Sequence, residues 1–91
     1  MADAQQAEIR LAYWSDRFTI LSTQLMPKRY FGLRVWRLVL LCRGRHAVAI
    51  MHELRMPSGW YPTPGQRVSA ALRISDQPGA SNLHVQVIEP C

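Results

Sequence analysis

The sequence predicts a mainly β fold, a small five-stranded antiparallel barrel or meander with a short N-terminal helix or arm. Three observations carry this. Short runs alternate apolar and polar side chains with the two-residue period of a strand. Those runs are rich in β-branched and aromatic residues. Segments bearing Gly and Pro separate them at short intervals. The 91 residues fit a single domain, read as an arm or helix over 1–14 and a barrel over 15–91.

The first segment, Met1 to Trp14, has helix signals. Asp3 stands at an N-cap position, Gln6 follows at capping-box spacing, and Ile9, Ala12 and Tyr13 share a helical face. A strand over Glu8 to Trp14 is the competing reading. From Arg17 the period changes. Phe18, Thr19, Ile20 and Thr23 favour a strand to Leu25, and Pro27 ends it. Met26 to Gly32 is then a loop with two basic and two aromatic residues.

Leu33 to Cys42 is the strongest strand. Its alternation slips between Val35 and Leu38, which predicts a β-bulge near Trp36 and Arg37. Arg43, Gly44 and Arg45 form a turn, and His46 to Met56 returns as the hairpin partner. On that strand Val48, Ile50 and Leu54 face one way, and Ala49, Met51, Glu53 and Arg55 the other. His52 interrupts the first of these faces and reads as a core-edge histidine.

Pro57 to Gly65 holds three prolines and two glycines, so it is a loop. Trp60 and Tyr61 at its centre are either a lid over the core or an interface anchor. Arg67 to Ile74 is a clean strand with Val68, Ala70, Leu72 and Ile74 inward. Ser75 to Asn82 is a polar turn. Leu83 to Ile88 closes the set, with Leu83, Val85 and Val87 alternating against His84 and Gln86, and Pro90 stops it. Five short strands without an internal repeat suggest an OB-like or SH3-like barrel.

The stretch Pro64, Gly65, Gln66, Arg67, Val68 and the terminal run Leu83 to Ile88 carry a likeness. Residues 64–89 resemble the last two strands of small OB-fold proteins that bind single-stranded nucleic acid, including the bacterial single-stranded-DNA-binding and primosomal-replication types. The resemblance implies a barrel whose outer surface takes a nucleic-acid strand. The helix that OB folds often insert between strands three and four is replaced here by the Pro-rich loop.

Charge points the same way. The formal net charge is +5, and Lys28 is the one Lys among eleven basic residues. Arginine presents a planar donor fork suited to phosphate, although a GC-rich coding sequence also yields Arg. Between Lys28 and Arg55 the sole acid is Glu53, and Tyr30, Phe31 and Trp36 are interleaved with the cations. Readers of single strands combine a positive groove for phosphates with aromatic faces for bases. The expected binding residues are therefore Lys28, Arg29, Tyr30, Arg34, Arg37, Arg43, Arg45, Arg55, Trp60, Tyr61, Arg67 and Arg73. Arg34 and Arg37 differ in parity and share a face only through the inferred bulge.

Catalysis finds little support. The six acids form no close pair, and His46, His52 and His84 lack metal-ligand spacing. Cys42 and Cys91 read as free thiols. No apolar run approaches a membrane span, and no secretory signal opens the chain. The expectation is a non-enzymatic cytoplasmic protein without cofactor or membrane, binding single-stranded DNA or RNA. The alternative is a protein-interaction module: an inhibitor, adaptor or assembly subunit of the kind phages and mobile elements encode. A homodimer or higher oligomer through the hairpin edge is a third possibility.

Overall fold

The computed structural model describes residues 12–75 and 83–91. Five strands, β1 (Ala12–Leu25), β2 (Val35–Cys42), β3 (Arg45–His52), β4 (Arg67–Ile74) and β5 (Leu83–Pro90), account for most of them. Residues Ala12 to Trp14 are strand, so of the two readings for the N-terminal segment the strand holds there. The remainder of that segment lies outside the described residues.

The sheet closes in the order β1-β2-β3-β5-β4, with β4 returning to β1. It is thus a barrel and not a meander. One pairing departs from the antiparallel expectation: β5 runs parallel to β3, with Ala49 opposite Leu83 and Ile50 opposite His84. This crossing of β5 between β3 and β4 is the Greek-key device of five-stranded OB-like barrels.

Closure depends on the length of β1. Its 14 residues pair with β4 over Ala12 to Thr19 and with β2 over Thr19 to Leu25. Thr19 belongs to both ladders, and the register slips between Ile20 and Ser22, leaving Leu21 as the extra residue. A bulge bends a strand and increases its twist, as a tight barrel requires. A second slip, opposite Ala71 and Leu72, leaves Gln86 extra on β5.

The inner face is apolar throughout. Phe18 and Ile20 come from β1, Trp36, Leu38, Leu40 and Cys42 from β2, Ala47, Ala49 and Met51 from β3, Val68, Ala70 and Leu72 from β4, and Val85 and Ile88 from β5. Across the β2–β3 ladder large faces small, Leu38 opposite Ala49 and Leu40 opposite Ala47. Alternation of this kind fills a narrow interior without voids.

Several face assignments differ from the sequence reading. The β2–β3 ladder is regular from Val35–His52 to Cys42–Arg45, so no bulge lies at Trp36 and Arg37. Val35 is buried on the outer face, where the β1–β2 loop covers it, and its burial imitates a slip. β3 ends at His52, and Glu53–Arg55 form a single 3-10 turn, which leaves Leu54 exposed rather than on a sheet face. The core face of β3 is Ala47, Ala49 and Met51; Val48 and Ile50 are half-buried outside. The Gln86 bulge turns Val87 out and Ile88 in. Ile74, at the end of β4, is also exposed.

The β2–β3 turn illustrates local sequence control. Arg43 (φ 52°) and Gly44 (φ 77°) are both left-handed, as a two-residue type I′ hairpin turn demands. A Cβ on Gly44 would touch nothing within 4 Å, so its role is conformational. Gly44→Ala is expected to cost about 1 kcal/mol in a urea titration, with no change in the folded far-UV spectrum.

Candidate functional site

The loop between β1 and β2 builds one wall of a groove. Met26 N–H donates to Val35 O at 2.8 Å, extending the ladder past Leu25. Tyr30 and Leu33 then exchange two backbone hydrogen bonds of 2.9 Å around Phe31 (φ 52°) and Gly32 (φ 77°). Arg29 Nη1 donates to Gly32 O at 3.1 Å and ties the tip to its stem. The reversal presents two aromatic rings to solvent. Tyr30 is 57% exposed and Phe31 85%, with centroids 4.5 Å apart in an edge arrangement. The Tyr30 ring also lies 5.2 Å from the His52 imidazole.

The loop and the outer face of β3, β5 and β4 enclose about 760 Å³. The floor is Val35, Ile50 and Met26; the polar rim is Lys28, Arg29, Tyr30, His52, Arg55, Arg73 and His84. Among the described residues, no carboxylate lines it. The parallel β3–β5 crossing is what assembles the floor, since it sets His84 beside Ile50 on one side and Arg73 on the other. Arg73 Nε is buried and has no hydrogen-bond partner among the described residues.

His84 is held below the ordinary imidazole range, first by burial, then by the positive charges of Arg73 and His52. Folding therefore lowers its proton affinity. Above about pH 6.5 both folded and unfolded chains carry it neutral and stability is full. As pH falls through that value the unfolded chain takes up the proton first, so stability declines until the folded imidazole titrates too. The melting temperature is expected to drop between pH 7 and pH 5, and His84→Gln is expected to flatten that drop.

A second basic cluster lies at the far end of the hairpin. Arg17, Arg43 and Arg67 surround a shallow depression of about 350 Å³ with Asp16, Cys42 and Gly44. Asp16 Oδ2 stands 3.7 Å from Arg43 Nη2. The Asp16 carboxyl is held below its usual range, chiefly by accepting the Arg17 backbone N–H at 2.8 Å, then by the Cys42 thiol. Burial and the same carboxylate push the Cys42 thiol up, so it is a poor nucleophile.

The expected residues thus divide. Lys28, Arg29, Tyr30, Arg55 and Arg73 come together in the groove. Arg43 and Arg67 belong to the far cluster. β2 is eight residues long, so its ends lie about 23 Å apart. Arg34, beside one end, and Arg43 and Arg45, at the other, therefore form no single patch. Arg37 is exposed on the outer face opposite Ile50, next to the groove. Trp60 packs against the core with its Nε1 buried, which makes it a lid. Tyr61 beside it is exposed, its ring 6.4 Å from Trp36.

Sequence reasoning missed three groups. His52 and His84 lack metal-ligand spacing, and Phe31, though interleaved with the cations, stands outside the expected binding residues. The signal for Phe31 was present: an aromatic before Gly at a tight reversal marks an exposed tip.

The fold and groove define a small closed β-barrel with a cation-rich recess on its outer surface. Comparison with protein-family models, with curated proteins and with solved structures finds no match for this chain. Among the described residues, no helix is long and apolar enough to cross a membrane.

Proposed function

We propose that the protein is a cytoplasmic, non-enzymatic binder of single-stranded DNA or RNA that holds the strand in the groove. The observation that carries this reading is the groove's composition: four Lys or Arg side chains, no carboxylate among the described residues, an apolar floor and the exposed Tyr30–Phe31 tip. The cations neutralise phosphates and release counterions. The ring faces offer stacking worth about 1–3 kcal/mol per base. Strands two and three and the loop joining strands one and two are also the surface that OB-like barrels use for oligonucleotides.

Fluorescence anisotropy with labelled oligo(dT) and oligo(rU) tests this. Binding is expected at low salt, with log K falling linearly in log salt. Absence of binding to either strand and to duplex at low salt would exclude the reading.

One observation favours a protein partner instead. Beyond Leu83 and His84, β5 has no ladder to β3 among the described residues, and Leu54 and Val87 stand 74% and 51% exposed beside that open edge. A nuclease-resistant, stoichiometric protein partner lost on Val87→Glu would favour this second reading.

A further inference from the structure

The groove contains one place where cationic groups converge from three strands rather than from the surface. Arg73 comes from β4, His84 from β5 and His52 from β3. The ladders put His84 directly between Arg73 and Ile50. Lys28, Arg29 and Tyr30 face this cluster from the loop, and Arg55 from the 3-10 turn; among the described residues, none of the groups around it is acidic.

Such an arrangement is costly without an anion. A buried guanidinium nitrogen normally finds an acceptor, and Arg73 Nε has none among the described residues. Two imidazoles beside a guanidinium repel one another once protonated. An oxyanion reverses both terms, since it accepts from Arg73 and favours imidazolium over imidazole.

The geometry points to a phosphate subsite formed by Arg73, His84 and His52, which binds an oxyanion together with a proton taken up by the histidines. This rests on the groove being the binding surface, and it deepens that reading. The ligand chemistry is a phosphodiester of the strand or a free phosphate. Binding at this subsite strengthens as pH falls, because the free groove lowers the proton affinity of His84 and a bound oxyanion raises it.

Oligo(dT) is the suitable probe, because neither thymine nor the phosphodiester titrates between pH 5.5 and 8. At fixed ionic strength, affinity is expected to rise as pH falls, approaching about tenfold per unit for one proton taken up. His84→Gln is expected to lose most of this slope; with His52→Gln added, the slope vanishes. An unchanged slope in the double variant overturns the subsite. Histidine NMR titrations in sulfate and in chloride separate the two claims, since sulfate does not titrate in this range. A sulfate-induced rise in the His84 titration point, with no oligonucleotide binding at any pH, supports the subsite for free phosphate and rejects the strand. Absence of both the sulfate effect and pH-dependent binding rejects the subsite. Oligonucleotide binding without pH dependence or sulfate effect keeps the groove and overturns the subsite.

Discussion

Phe18→Ala is expected to remove a large share of the folding stability, about 3–5 kcal/mol. Phe18 is 1% exposed and sits where β1 passes from its β4 ladder toward its β2 ladder. Its ring meets Trp14 edge-on at 5.1 Å, a contact worth about 0.5–1.5 kcal/mol beyond burial. Phe→Ala truncations in cores cost about 3–5 kcal/mol. At about 0.05–0.15 kcal/mol per residue, this chain has about 5–13 kcal/mol in total. Urea denaturation followed by far-UV circular dichroism measures the loss. Val87→Ala, on a strand but 51% exposed, is the control and is expected to stay within about 0.5 kcal/mol. Similar losses for the two would mean that the inward assignment of Phe18 is wrong.

How far the chain reveals its fold depends on which physical cause sets each face. β4 is read from Arg67 to Ile74 without error in its bounds, because a single inward face alternates there with no slip. β2 misleads because burial has two sources: Val35 is covered by a loop, not by the core, and period alone does not separate the two. β5 misleads because Gln86 bulges with no glycine to mark it. The 3-10 turn at Glu53–Arg55 looks like more strand because Leu54 and Met56 prolong the apolar pattern.

The groove is legible in part for a related reason. Lys28, Arg29 and Tyr30 are sequence neighbours on one loop, and their grouping needs no topology. Arg55, Arg73 and His84 join them only because β5 crosses between β3 and β4. A parallel pairing of distant strands leaves no mark in local spacing. Arg34 and Arg43 lie only nine residues apart in sequence yet sit at opposite ends of the β2–β3 hairpin. Proximity along a strand is thus a poor guide to a shared surface.

That division makes the largest binding effect discriminating. The triple variant Lys28→Gln, Arg29→Gln, Arg55→Gln is expected to lose about 100-fold in oligo(dT) affinity near 0.1 M salt. Each single-strand phosphate contact contributes about 0.7 to the salt exponent, so three contacts amount to about two decades at that concentration. The slope of log K against log salt should become shallower by about 2. All three side chains lie on exposed residues, so the fold is expected to survive the change, which thermal melting checks. The matching triple at the far cluster, Arg17→Gln, Arg43→Gln, Arg67→Gln, removes the same charge from the other end of the hairpin. Net charge alone would weaken both variants equally through the long-range field. A localised groove weakens the first far more than the second, because only there does the phosphate approach the guanidinium closely. Equal losses would assign binding to the general positive field of the barrel and remove the groove from the account. A larger loss at the far cluster would move the site to the Asp16–Arg43 end, where the lone carboxylate would have to give up its arginine to the incoming strand.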